Sequence, residues 1–226
     1  MAHAFRYLIF ALALDLWSAV RAEAQVQPEQ RLRFTVFSAR PALGLAFTPR
    51  TGAAPQSFAF YPTARSPRYE FRGTMPLRIV EVESGKIVAE ANVPPAISDA
   101  LLILLPVEPT PSTGLRYRVL VLDDGATRQP AGSLAVINLS GLALSGSLGD
   151  QPIALTEGLN APVAVSRAAK LVLRSPGKGR SVQAFASEIS LSRNTRGLLL
   201  LLPPFYKNSL EVQSRLLIDA APGPRL

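Results

Sequence analysis

The sequence predicts an all-β chain built from two β-sandwich units, and three observations carry that reading. Short apolar segments recur roughly every 8–12 residues, punctuated by glycine and proline, and the 226 residues include 15 Gly and 20 Pro. No segment holds a helical apolar stripe for more than about two turns. The nearest, 161–170, carries Val163 and Val165, whose β-branching disfavours helix. Finally, the second half repeats the first in order and spacing, at a period of about 100 residues that matches an immunoglobulin-like sandwich.

Taken in order, residues 1–24 read as a cleaved signal peptide. His3 and Arg6 precede an apolar run at 8–14, and Ala22-Glu23-Ala24 supplies a small-x-small cleavage site, although Asp15 interrupts the apolar character. The run is too short to span a bilayer, which takes about 20 apolar residues, and no later stretch reaches that length. The expected location is therefore periplasmic or extracellular, with no integral membrane segment after cleavage. Candidate strands of the first unit, 30–124, lie at 32–37, 44–48, 57–61, 68–71, 77–82, 86–92, 100–105 and 116–122. Segments 77–82 and 86–92 read as a hairpin turned at Glu83-Ser84-Gly85. Residues 125–132 read as a linker, 133–220 as the second unit and 221–226 as a disordered tail.

The repeat is clearest in the apolar runs. Leu102-Ile103-Leu104-Leu105-Pro106 returns as Leu199-Leu200-Leu201-Leu202-Pro203, each followed by a loop and an apolar strand ending in Asp123 or Asp219. By spacing, Phe34–Ser38 matches 135–140 and Tyr69–Arg72 matches Lys170–Leu173. A five-leucine run stopped by Pro203-Pro204 suits a strand buried on both faces.

Composition narrows the chemistry. His3 is the only histidine and lies in the signal segment, and there is no cysteine. The processed chain would lack the commonest general base and the commonest metal ligand, as well as thiolates and disulfides. Serines are plentiful, but without histidine a serine nucleophile would need a lysine base, and the Ser-x-x-Lys spacing present, Ser175 to Lys178, runs into a segment read as a hairpin turn. Asp123-Asp124-Gly125 is read as a turn, because Ala126, Arg128 and Pro130 follow where a calcium loop needs oxygen ligands. Glu81 and Glu83 lie close enough for acid–base work but flank a hairpin turn, and are read as a solvated edge. Asn138-Leu139-Ser140 fits the glycosylation pattern, with neighbours that look buried. Pro176-Gly177-Lys178-Gly179 lacks the ending of a phosphate-binding loop and is read as a hairpin turn. No catalytic, cofactor or metal residues are assigned.

Charge is the positive signal. The chain carries a formal +8, and only Lys86, Lys170, Lys178 and Lys207 are lysines, so the excess is mostly arginine. Eight arginines between Arg31 and Arg78 meet one acid, Glu70, and the basic residues from Arg167 to Arg196 meet only Glu188. Such clusters attract polyanions. The expected anion-contacting residues are Arg65, Arg68, Arg72, Arg174, Lys178 and Arg180. Export and the lack of a binding motif disfavour nucleic acid, leaving anionic envelope polysaccharide or an envelope protein as the expected partner.

Residues 117–125 with 130–141, and Ser66-Pro67-Arg68-Tyr69-Glu70-Phe71-Arg72-Gly73, resemble uncharacterised secreted bacterial proteins that carry a tandem domain of unknown function. That resemblance implies a secreted β-sandwich with no assigned catalysis and transfers no functional residues. Val93-Pro94-Pro95 is similar to an element of periplasmic pilus-assembly chaperones, a likeness that implies β-strand addition to a subunit. The arginine-flanked aromatic stretch closing the first domain of those chaperones is missing here. The sequence thus favours a non-catalytic binding or structural role at the cell envelope. A strand-adding chaperone and a hydrolase working without His or Cys are the alternatives.

Overall fold

The computed structural model describes residues 28–40, 42–109, 113–165, 168–177 and 179–220. The expected signal segment 1–24, the tail 221–226 and Lys178 lie outside the described residues. Every regular element among those described is a strand. The first half contributes β1 (Gln30–Ser38), β2 (Leu45–Phe47), β3 (Gln56–Ser57), β4 (Tyr69–Gly73), β5 (Leu77–Glu81), β6 (Ile87–Ala91), β7 (Asp99–Pro106) and β8 (Tyr117–Asp123). The second contributes β9 (Ser133–Asn138), β10 (Leu144–Leu148), β11 (Gln151–Leu155), β12 (Gly158–Leu159), β13 (Val163–Ala164), β14 (Ala169–Gly177), β15 (Arg180–Ile189), β16 (Thr195–Leu202) and β17 (Gln213–Ala220).

Each half forms two facing sheets, in the orders β4-β1-β7-β8 and β3-β2-β5-β6, then β12-β9-β16-β17 and β11-β10-β14-β15, with β13 also on β9. One pairing scheme serves both. The first strand of each half lies parallel to its last but one, β1 on β7 and β9 on β16, and the last strand returns antiparallel as β8 or β17. The two-layered sandwich expected from the sequence is therefore present. The strand order differs from the constant-type immunoglobulin sandwich, which has antiparallel neighbours only. One spacing match is also corrected. Tyr69–Arg72 lies in β4, which pairs with β1, whereas Lys170–Leu173 lies in β14, whose pairing matches β5. Sequence spacing aligned them, but hydrogen-bonding partners decide equivalence.

Side-chain alternation explains the long apolar runs. On β7, Ala100, Leu102 and Leu104 enter the first core with Phe34, Phe47 and Ile79. On β16, Leu199 and Leu201 enter the second with Leu171 and Leu173. The intervening Leu101, Ile103, Leu198 and Leu200 turn the other way and meet in a third cluster with Phe37, Ile137 and Leu217. The two sheets carrying the parallel pairs thus pack against each other, and the layers run outer, inner, inner, outer. Strands buried on both faces cannot alternate with polar residues, hence the unbroken leucine runs.

Several local expectations meet the structure differently. The 57–61 segment keeps regular pairing only at Gln56–Ser57, after which Phe58 turns inward to stack on Phe47 with centroids 5.0 Å apart. The 161–170 segment holds β13 and the start of β14. Within residues 125–132 Gln129 is buried and donates from Nε2 to the Gly197 carbonyl at 2.6 Å, while Ala126, Thr127, Arg128, Pro130 and Ala131 are exposed.

Candidate functional site

Two groups of charged residues stand out, one buried between the halves and one exposed. Alternation on β16 puts Arg196 on the same face as Leu198 and Leu200, so it points between the halves. Its side chain is 0% exposed, 2.8 Å from Asp124 and 3.4 Å from Asp219, and it donates to the Asp124 carbonyl at 3.0 Å. Arg65, with a side chain 6% exposed, reaches Asp124 at 2.7 Å and Asp219 at 3.6 Å. Its backbone is placed by the next residue: Ser66 N–H donates to the Val36 carbonyl, and Ser66 Oγ accepts from Val36 N–H at 2.7 Å. Arg65 Nε and Nη2 and Arg196 Nε are buried without a partner among the described residues.

Arg65 and Asp124 also line a cavity of about 450 Å³ between the halves, with Ile97, Gln129, Asn160 and Leu198. Arg65, Arg128 and Arg196 are offset there by Asp123, Asp124 and Asp219. The charges balance, so an ionic ligand would find no net attraction. The arrangement reads as an internal brace.

The second group lies on the part of the first inner sheet that the other half leaves uncovered. Leu32 and Phe34 of β1 point into the first core, so Arg31 and Arg33 point away from it. Register sets Arg31 directly opposite Arg72 of β4, and an isolated bridge sets Arg50 beside Arg72 on its far side. The extra segment is held by Arg72 N–H donating to the Pro49 carbonyl at 2.8 Å. Arg50, Arg72 and Arg31 therefore stand in a row across three adjacent backbones, about 4.8 Å apart. With Arg33, Glu70 and Ser98 they line an open groove of about 670 Å³.

Like charges placed directly opposite destabilise a strand pair, so this row has no structural benefit. Partial compensation exists. Arg72 pairs with Glu29 at 2.9 Å, and Arg33 reaches Asp99 at 2.8 Å. The other residues expected to contact anions separate. Arg68 lies near Asp99 at 3.4 Å, two positions from Glu70 on the groove's face. Arg65 is enclosed by carboxylates rather than offered to an outside anion, because its turn aims inward between the halves. Arg174 and Arg180 are exposed on β14 and β15 of the other half. Arg31 and Arg50, absent from the expected set, are legible only through cross-strand register.

The motifs set aside in the sequence take structural places. Asp123 accepts from Gly125 N–H at 3.0 Å, closing a turn, and pairs with Arg128. Asn138 is buried, accepting from Ser140 Oγ at 2.6 Å and donating to the Leu142 carbonyl at 3.0 Å. Glu81 accepts from Ser84 Oγ at 2.6 Å and pairs with Arg116, and these bonds hold its carboxyl below the ordinary carboxylate range. Among the described residues no group of three or more His, Cys, Asp or Glu side chains could hold a metal ion.

Fold and surface together define an all-β protein of paired sandwiches with a basic face. Comparison with protein families and with curated proteins finds no match.

Proposed function

We propose that this is a non-catalytic binding protein that docks an anionic envelope polymer in the groove lined by Arg31, Arg33, Arg50 and Arg72. The observation that carries the reading is the row Arg50–Arg72–Arg31, three cations in register across neighbouring strands. An extended polymer with repeating carboxylates or phosphates would relieve that repulsion at several points at once. Shape supports the same class of ligand. The groove is open rather than enclosed, suited to a chain lying across the sheet rather than a small molecule shut in a pocket. The reading includes export to the periplasm or beyond, in keeping with the signal-like residues 1–24.

Titration of the purified protein with polygalacturonate, an acidic polysaccharide, tests it. Binding at low ionic strength should fade at moderate salt, because exposed charges are screened within about 8–10 Å. Replacing Arg31 and Arg50 together by glutamine should weaken it about tenfold, a loss of about 1.4 kcal/mol. The Arg174→Gln variant should bind as the parent does. No binding at low salt, or equal binding by the Arg31/Arg50 variant, would defeat the proposal.

A further inference from the structure

The loop 203–212 between β16 and β17 is pinned at three points. Gln213 Nε2 donates to the Pro203 carbonyl at 2.8 Å. Ser209 N–H donates to the Tyr206 carbonyl and Val212 N–H to the Ala184 carbonyl, each at 3.1 Å. Asn208 turns the chain at φ 69°, a left-handed conformation that asparagine tolerates better than most residues. A loop held this way fixes what it presents.

What it presents is apolar. Phe205 is 75% exposed and Tyr206 is 73% exposed, with ring centroids 5.0 Å apart and edge to face. Neither ring enters any of the three cores. Holding two aromatic rings in water is unfavourable unless something covers them. The fold does not require them. The same connection in the first half, between β7 and β8, begins Val107-Glu108-Pro109 and contains no aromatic residue.

The surroundings of the loop are basic. Lys207 follows the rings and is exposed. The β14–β15 hairpin end lies alongside, since a Cβ added at Gly177 would sit 3.4 Å from Leu210 Cδ1. That brings exposed Arg180 to the same end of the molecule, against a single loop acid, Glu211.

Size decides the kind of partner. Two aromatic rings cover roughly 300–500 Å², whereas each partner in a standard specific protein interface contributes about 800 Å². A bilayer surface needs no matching shape, takes aromatic rings at headgroup depth and, where anionic, attracts lysine and arginine. We propose that the 203–212 loop is a membrane-surface anchor, with Phe205 and Tyr206 entering the headgroup zone of an anionic bilayer and Lys207 and Arg180 contacting its phosphates. This surface lies on the second half, and the proposal does not depend on the arginine groove of the first.

Co-sedimentation with vesicles of equal parts phosphatidylglycerol and phosphatidylcholine tests the anchor, with pure phosphatidylcholine vesicles as the second arm. The protein should sediment with the anionic vesicles and much less with the neutral ones. The F205S/Y206S variant should lose binding about tenfold or more, with its circular dichroism and thermal midpoint unchanged because both rings are exposed. The Arg31/Arg50 glutamine variant should still sediment. No sedimentation with anionic vesicles would overturn the anchor. So would unchanged binding by F205S/Y206S, or a loss of binding that follows the Arg31/Arg50 substitutions instead.

Discussion

Arg196 and Asp124 are joined twice across the boundary between the halves, through the carboxylate at 2.8 Å and through the Asp124 carbonyl at 3.0 Å. The two residues are 72 positions apart in sequence. One contact is to side chain and the other to backbone, so the pair fixes the end of β8 against β16 in position as well as in charge. Arg65 closes the arrangement from the other side of Asp124.

Removing one partner of a buried ion pair leaves the other charge uncompensated, at a cost of about 3–5 kcal/mol. Arg196→Leu should therefore lower stability by about 3 kcal/mol in a urea titration, the remaining Arg65 contact softening the loss. Asp219 is one-third exposed, so Asp219→Asn should cost about 1 kcal/mol or less. Equal effects from the two variants would show that water, rather than burial, sets the strength of the cluster.

The arginine row predicts a split between stability and binding. Arg31 faces Arg72 directly, so Arg31→Gln removes a repulsion worth about 0.2–1 kcal/mol. Its thermal midpoint should hold or rise while its affinity for polygalacturonate falls. A residue placed for packing would lose stability on the same change.

Much of this architecture can be read from the sequence, and what cannot has a common cause. The leucine runs, the hairpin at Glu83-Ser84-Gly85 and the repeated order of segments all follow from local pattern, and the structure contains each of them. Arg31 and Arg50 stayed hidden because one-dimensional charge counting treats all basic residues alike. Only pairing places Arg72 between them. Arg65 stands in a basic stretch of sequence, yet its two carboxylate partners are the distant Asp124 and Asp219. Long-range pairing of this kind leaves no local trace. The third cluster is a partial case: doubly apolar strands announce burial on both faces without saying what covers the second.

Glu81 gives a pH dependence with a definite sign. Hydrogen bonds from Ser84 and Arg116 lower its pKa in the folded protein from an ordinary 4.5. A carboxyl with a depressed folded pKa stabilises above its unfolded value and loses that contribution as pH falls through the folded value. Urea midpoints of the parent should exceed those of Glu81→Gln at about pH 7, and the gap should narrow as the pH falls below the ordinary 4.5. A gap that stays constant across that range would assign the effect to lost hydrogen bonding alone.

The third cluster predicts that the two halves unfold together. Leu101 and Ile103 from the first half share it with Leu198 and Leu200 from the second, all of them essentially buried. Neither inner sheet can expose that face without uncovering a row of apolar side chains, so opening between the halves would cost much of what unfolding costs. Calorimetry should show one transition, with calorimetric and van't Hoff enthalpies in agreement. Leu101→Ala leaves a cavity at the junction and should destabilise by about 2–5 kcal/mol. The loss should appear equally in hydrogen exchange of β7 and of β15, although β15 lies in the far layer and does not touch Leu101. Protection lost in β7 alone, or two resolved transitions in the parent, would mean that the junction is a contact between independently stable halves.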